Sequence, residues 1–317
     1  MNRENDVTLN NGVKMPSIGY GVFRMTDEKN CEEAVLKAIE CGYRLIDTAA
    51  AYENEVAVGR AIKKSGVKRE ELFITTKLWI TDTNYERAKI GFSRSLERLG
   101  LDYIDLYLIH QPYNDYYGAW HALEELYADG KIKAIGVDNF TQDRLADFLY
   151  FNKIVPAVNM VECNAYFQRE DERKYMKEQH IFMQAWSPLA AGKKELFSEK
   201  ILCEIAAVHK KTVAQIVLRW LIQRGIVPVV KSANPERMKE NIGIYDFELT
   251  DCEMSAIATL DIGHTCFSPR NMMCERKTGF FRTEYLSIYK RKTASLLEAV
   301  FSYQNFYRFT SPMAVTT

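Results

Sequence analysis

Apolar positions along the chain follow two periods that keep trading places. After "SIGYGVF", short runs rich in β-branched and aromatic residues alternate with stretches whose apolar positions recur every three to four residues. The first half reads "CEEAVLKAIECG", "RLID", "NEVAVGRAIKKSG", "ELFITTK", "YERAKIGFSRSLERLG" and "YIDLYLIH". The alternation goes on through "AWHALEELYADG", "IKAIGV", "TQDRLADFLYF", "PAVNMVE", "ERKYMKEQ", "IFMQAW", "AQIVLRWLIQRG", "IVPVVK" and "PERMKENI". About eight strand-then-helix units result, the number that closes a (β/α)₈ TIM barrel of roughly 250 residues. The doubly wound nucleotide-binding sheet is the main rival. It needs a glycine-rich first turn, and the nearest match, "GYGVFR", puts Arg24 where the third glycine belongs.

A barrel of this kind carries its chemistry at the C-terminal ends of its strands. Polar residues close one predicted strand after another: Asp47, Lys77, His110, Asp138 and Asn139, Asn159 and Glu162, Trp186 and Ser187, Lys231 and Ser232. Their convergence on one mouth says more than any of them singly, because an isolated strand-end polar group is an ordinary cap or turn.

Asp47 and Lys77 fall on neighbouring units, where a carboxylate and an ammonium at the edge of a dry interior need each other. Alone, the two read more readily as a structural ion pair than as catalytic groups. Tyr52 adds chemistry: a phenol beside an ammonium is drawn towards ionisation and becomes a usable acid. His110 then either orients a carbonyl oxygen or is simply a core-edge histidine. Together Asp47, Tyr52, Lys77 and His110 suit proton donation to an oxygen gaining negative charge, as when a hydride reaches a carbonyl carbon. No side chain donates a hydride, so a cofactor is required. In "VVKSANPERMKEN", Lys231, Ser232 and Arg237 flank the start of a predicted helix. Such a cluster suits a phosphate monoester, or is a solvated pair of cations beside a cap.

Charge and composition narrow the partners. With 47% hydrophobic residues and a formal charge of +0, nothing global argues for nucleic acid or an anionic membrane. The 7 cysteines are an odd number, scattered and without a C-x-x-C pair, and the 5 histidines form no zinc motif, so no metal is expected. "MNRENDVTLNNG" has no apolar signal core and no run approaches a bilayer span, which makes a soluble, cytoplasmic protein the expectation.

At this level of detail the chain resembles the aldo-keto reductase family. "GYRLIDTAAAYENEVAVG" carries its first signature with Asp47, Tyr52, Glu55 and Gly59, "KLW" its lysine, "LIHQP" its histidine and "VVKSANPERMKEN" its third signature. The likeness spans about residues 7 to 262 and is strongest to the prokaryotic 2,5-diketo-gluconate and methylglyoxal reductase branch. It implies NADP(H)-dependent interconversion of small carbonyls and alcohols, with Tyr52 as proton donor, Asp47 and Lys77 tuning it, and His110 placing the substrate oxygen. It implies that Trp186 stacks on the nicotinamide, that Ser187 and Leu189 run along the pyrophosphate, and that Lys231, Ser232 and Arg237 hold the adenosine 2′-phosphate. Glu240 and Asn241 lie near adenine, and Phe23, Trp79 and Gln111 line the substrate pocket. A 2′-phosphate pocket favours NADPH over NADH. Because the family includes non-catalytic members, a cofactor-binding or regulatory protein is the alternative; a monomer is expected in either case.

Departures from the family pattern occur at Asp138, Asn159 and Gln111 and in the tail. "GVDNF" puts Asp138 where the family has a serine beside the nicotinamide carboxamide, Asn139 being retained. Asn159 is assigned the usual glutamine position, one methylene shorter. Gln111 stands where many relatives have tryptophan, which suits a small or hydroxylated carbonyl. Residues 1–262 therefore form the expected barrel, and 263–317 an atypical extension in which Lys and Arg outnumber Glu and aromatics are frequent. Its bases and aromatics form no recognisable nucleic-acid-binding module; a membrane-surface contact, a partner contact, docking over the mouth and disorder are all open for it.

Overall fold

The computed structural model describes residues 5–265. Eight parallel strands close on themselves: β3 Gly19–Gly21, β4 Leu45–Asp47, β5 Phe73–Leu78, β6 Ile104–Ile109, β7 Ile132–Asp138, β8 Val158–Glu162, β9 Phe182–Trp186 and β10 Val227–Val230, the last pairing with β3. Before them, β1 Val7–Thr8 and β2 Lys14–Met15 make a small antiparallel hairpin that the alternation of periods did not predict. The expected (β/α)₈ barrel is thus the architecture found.

Between the strands run α1 Glu28–Glu40, α2 Glu55–Lys64, α3 Tyr85–Leu99, α4 Tyr116–Ala128, α5 Gln142–Phe151 and α6 Glu170–Glu178. Then come α7 Lys194–Phe197, α8 Lys200–His209, α9 Val213–Gln223, α10 Pro235–Ile242 and α11 Asp251–Ala258. α7, α8 and α11 are additions to the simple strand–helix count. Local chemistry sets the helix ends. In α3 the Asn84 side chain accepts from Arg87 N at the start, and Gly100 at φ 64° turns the chain out at the end. The buried positions Ala88, Gly91, Phe92, Ser95 and Leu99 form its inward stripe. Gly59 of α2 lets that helix approach closely, since a Cβ there would fall 2.3 Å from Leu99 O.

Alternation along each strand divides the core in two. Leu45, Phe73, Leu106, Leu108, Ala134, Val158, Met160, Val227 and Val229 fill the barrel interior, which Leu9 and Met15 of the hairpin segment plug from the N-terminal end. Ile46, Ile74, Tyr107, Val137, Val161 and their neighbours face outward into the helix layer. The inward period then places Asp47, Lys77, His110, Asp138, Glu162 and Trp186 at the other end, above the apolar fill.

Candidate active site

Lys77 is inward because Phe73 and Thr75 precede it at a spacing of two on β5, and Asp47 closes the adjacent strand β4. The Lys77 ammonium donates to Asp47 Oδ1 at 2.6 Å and to Thr48 O at 3.0 Å, with Lys77 0% and Asp47 3% exposed. Burial works against the charge on Lys77; Asp47, followed by Tyr52 and Asp138, outweighs it and holds the ammonium above its ordinary range. Just beyond β4, Thr48 donates to Asn54 Oδ1 at 2.8 Å, while the Asn54 amide donates to Val22 O and Met25 O. This clamp fixes the short segment that carries Tyr52.

Tyr52 ends a 3₁₀ turn, Ala50–Tyr52, closed by Glu53 in the left-handed region at φ 57°. The Lys77 ammonium lies 5.1 Å from the centre of the Tyr52 ring. The sequence suggests that this ammonium makes the phenol more acidic than usual, and the structure corrects the net direction. Burial raises the Tyr52 hydroxyl above its ordinary value and Lys77 only partly offsets it. The phenol therefore stays protonated at neutral pH. It is a loaded donor, and the oxygen of a carbonyl receiving a hydride is basic enough to take its proton.

His110 follows β6, its ring edge-on to Tyr52 at 5.7 Å and to Trp79 at 5.0 Å between centres. Burial, then the charge of Lys77, pushes its imidazole well below the usual range, so it is neutral. Nδ1 has no partner, and Nε2 stands 3.8 Å from Asp138 Oδ2. Phe23 covers Tyr52 with 5.0 Å between ring centres and is itself 47% exposed, at the rim, and Gln111 is half-buried beside His110.

On the next strands, Asn139 adopts φ 65°, a conformation asparagine tolerates better than most residues. Its amide ties two parts of the mouth together: Nδ2 donates to His110 O at 3.1 Å, and Oδ1 accepts from the Trp186 indole at 2.9 Å. The Trp186 ring is thereby held at the end of β9. Ser187 (φ 53°), Ala190 (φ 47°) and Ala191 (φ 57°) follow in a loop with repeated left-handed residues, which also carries half-buried Leu189. Such strain gathers where structure serves a ligand. The Ser187 hydroxyl and Asp138 Oδ1 are buried without partners. Burial, resisted by Lys77 and reinforced by Asp47, drives the Asp138 carboxyl well above the ordinary carboxylate range.

Asn159 does not join this group. On β8 the inward residues are Val158, Met160 and Glu162, so Asn159 faces the helix layer, where its amide donates to Phe140 O at 2.9 Å. The position facing the mouth is apolar Met160. Gln184, two residues before Trp186 on the inward face of β9, was missed by the sequence reading; counting back by two from Trp186 would have found it.

At the far side of the mouth, Ser232 exchanges hydrogen bonds with the Asn234 backbone, and Tyr20 donates to Ser232 O at 2.6 Å. Asn234 caps α10 by accepting from Glu236 N and Arg237 N. Partial burial and the nearby Arg24 guanidinium lower the Lys231 ammonium. Arg237 and Glu240 are exposed, whereas Asn241 is buried. An exposed ammonium beside a capped helix start favours an anion. A pinned indole face, unpartnered buried polar atoms and a cationic far end fit a phosphorylated nicotinamide dinucleotide. Among the described residues no cluster of His, Cys, Asp and Glu could hold a metal ion.

Comparison with known proteins agrees with this geometry. The aldo/keto reductase family profile matches residues 12–262. Glyoxal reductase of Bacillus subtilis is 49% identical over 256 residues, covering 80% of this chain and 92% of the relative. An aldo-keto reductase from a Medee basin deep-sea metagenome superposes with TM-score 0.81 at 44% identity, covering 83% of this chain and 97% of that one. The aldo-keto reductase of Bombyx mori in complex with NADP gives TM-score 0.80 at 32% identity, with coverage of 84% and 96%. With a family match over most of its length and the fold and mouth described above, the chain belongs to the aldo/keto reductase family.

Proposed function

We propose that this NADPH-dependent reductase converts small aldehydes and ketones, dicarbonyls such as methylglyoxal among them, into alcohols, with Tyr52 as the proton donor. The observation that carries the reading is the half-buried Tyr52 ring set against both the Lys77 ammonium and His110, in surroundings that favour a protonated phenol and a neutral imidazole. The bound cofactor supplies the hydride. The chain supplies the rest. Neutral His110 directs the carbonyl oxygen towards the phenol, and as negative charge grows there Tyr52 releases its proton to it. Lys77 stabilises the phenolate left behind, and Asp47 keeps Lys77 charged and in place. Trp186, held by Asn139, supports the nicotinamide, Ser187 and Leu189 flank the pyrophosphate, and Lys231, Ser232 and Arg237 take the 2′-phosphate, with Glu240 and Asn241 towards adenine.

Phe23, Trp79 and Gln111 border the substrate. The polar Gln111 favours small or hydroxylated carbonyls, and the similarity to a glyoxal reductase supports this. The barrel unit is residues 1–262, supported by the end of the family match at 262, with 263–317 an extension whose residues from 266 on lie outside the described ones. A cytoplasmic monomer fits the free thiols of Cys31, Cys41, Cys163, Cys203 and Cys252, and among the described residues no helix is long and apolar enough to cross a membrane.

The test is oxidation of NADPH, and separately of NADH, by the purified protein with methylglyoxal, a sugar-derived ketone and a bulky aromatic aldehyde. Turnover that prefers NADPH and the small carbonyls is expected. Preference for the bulky aldehyde would reject the substrate class, and no turnover with any of them despite NADPH binding would favour the regulatory alternative.

A further inference from the structure

The unpartnered polar atoms of the mouth continue one layer inward, across neighbouring strands. Asp138 on β7 and Gln184 on β9 are both in register with Met160 on the β8 strand between them. Asp138 is 2% and Gln184 0% exposed, and Asp138 Oδ1 and both amide atoms of Gln184 have no partner. Just above them Asn139 holds the Trp186 indole, the flat support at the end of β9. The nicotinamide ring must lie beside Tyr52 and His110 if its hydride is to reach a carbonyl carbon held there. Asp138, whose Oδ2 is 3.8 Å from His110 Nε2, would therefore be among the residues that face the ring and its carboxamide. A carboxamide offers one acceptor and two donors. A protonated carboxyl meets it with one of each.

The two redox states of that ring differ by one positive charge. We propose that Asp138 keeps its proton in the free enzyme and with NADPH bound, and gives it up when NADP⁺ binds, so that one buried carboxyl distinguishes the oxidised from the reduced cofactor. The balance is simple: the Asp138 O–H bond breaks, its electron pair remains on the carboxylate facing the cationic ring, and the proton leaves to solvent. Nothing is oxidised or reduced in the step. The inference rests on the reductase reading above.

The groups around Asp138 leave it as the site that titrates. Asp47 on β4 and Lys77 on β5 form a mutual ion pair. Lys77 is held charged, His110 after β6 neutral, and Tyr52 protonated. Glu162, at the end of β8, accepts from Asn164 and from Thr265. Burial already favours the protonated form of Asp138, and a cation brought next to it reverses that preference. A serine at this position has no charge to exchange.

The experiment is calorimetric titration of the full-length protein with NADP⁺ and with NADPH, near neutral pH, in buffers of different ionisation heat, to count the protons released on binding. Both cofactors carry the same 2′-phosphate, whose own titration near pH 6 is common to the two and drops out of the difference. NADP⁺ is expected to release roughly one proton more than NADPH. Its affinity relative to NADPH should rise about tenfold per pH unit across the linked range. Asp138→Asn and Asp138→Ser should each abolish the difference while still binding both cofactors. Equal proton counts in the wild type, or a difference that survives in both variants, would overturn the proposal and leave the reductase reading intact. Failure of either cofactor to bind the wild type would overturn both.

Discussion

The two ends of the barrel are built from the same strands and use their polar groups in opposite ways. At the N-terminal end, Arg69 donates to Asp105 at 2.6 Å, to Leu72 O at 3.0 Å and to Tyr103 O at 3.1 Å, while Asp105 also accepts from Ile74 N at 2.8 Å. Of the Arg69 nitrogens only Nε is unpartnered. The groove there, a cavity of about 350 Å³, is lined by charges of both signs, among them Lys14, Arg44, Glu71, Asp105 and Lys133, and Asp105 is already committed. At the C-terminal end His110 Nδ1, Asp138 Oδ1, the Ser187 hydroxyl and the Gln184 amide are buried and unpaired. Each such group costs about 1–3 kcal/mol. Single atoms of this kind occur elsewhere, Tyr107 OH and Asn159 Oδ1 among them, but a cluster of them at one mouth is what a ligand or a reacting group would relieve. The mixed-charge groove marks the structural end, and the cluster of unsatisfied atoms marks the chemical one.

The strongest attempt to break this contrast is Lys77→Met. It should leave Asp47 buried and unpaired, destabilise the protein by about 3–5 kcal/mol in urea unfolding, and lower kcat at least ~100-fold. A stable and active variant would show that the ion pair serves neither end. Asp105→Ala probes the opposite end: a loss of about 1.5–3 kcal/mol is expected in the same unfolding assay, with kcat/KM within about twofold of wild type. A collapse of kcat/KM without unfolding would erase the distinction.

Smaller effects sharpen the comparison. Lys231→Met should weaken NADPH about tenfold in a fluorescence titration, as removing one charge-assisted hydrogen bond does, and leave NADH nearly unchanged. Equal loss for both cofactors would place the 2′-phosphate elsewhere. The mildest test is the pH dependence of stability. Burial makes the folded chain hold the Asp138 proton more tightly than the unfolded chain does, so stability is undiminished below the ordinary carboxylate value of 3.8 and falls as pH rises through the raised one. Asp138→Asn should flatten that fall, giving a higher Tm than wild type at pH 8. An unchanged slope would mean that Asp138 contributes nothing to it.

Much of this was legible in the sequence because two signals are periodic and local. The alternating strands and helices specified the barrel, and residues at strand ends located Asp47, Lys77 and His110 at one mouth. What escaped depends on burial and on parity. Lys77 beside Tyr52 suggested an acidified phenol, but only the packed structure shows desolvation outweighing the ammonium. Asn159 was assigned to the mouth although a shift of one residue along β8 turns a side chain to the opposite face. Gln184 in "FMQAW" looks like any strand residue until both of its amide atoms are found sealed in without partners. The β1–β2 hairpin, only two residues per strand, is too short for a period to register.

In the proposed reaction a proton is delivered at the unsatisfied end, and Tyr52 delivers it. The measurement is single-turnover oxidation of enzyme-bound NADPH by methylglyoxal in Tyr52→Phe and wild type, with NADPH affinity determined on the same samples. Affinity within about twofold and hydride transfer slowed at least ~100-fold are expected. Near-normal transfer in a variant that binds NADPH normally would contradict this role for Tyr52.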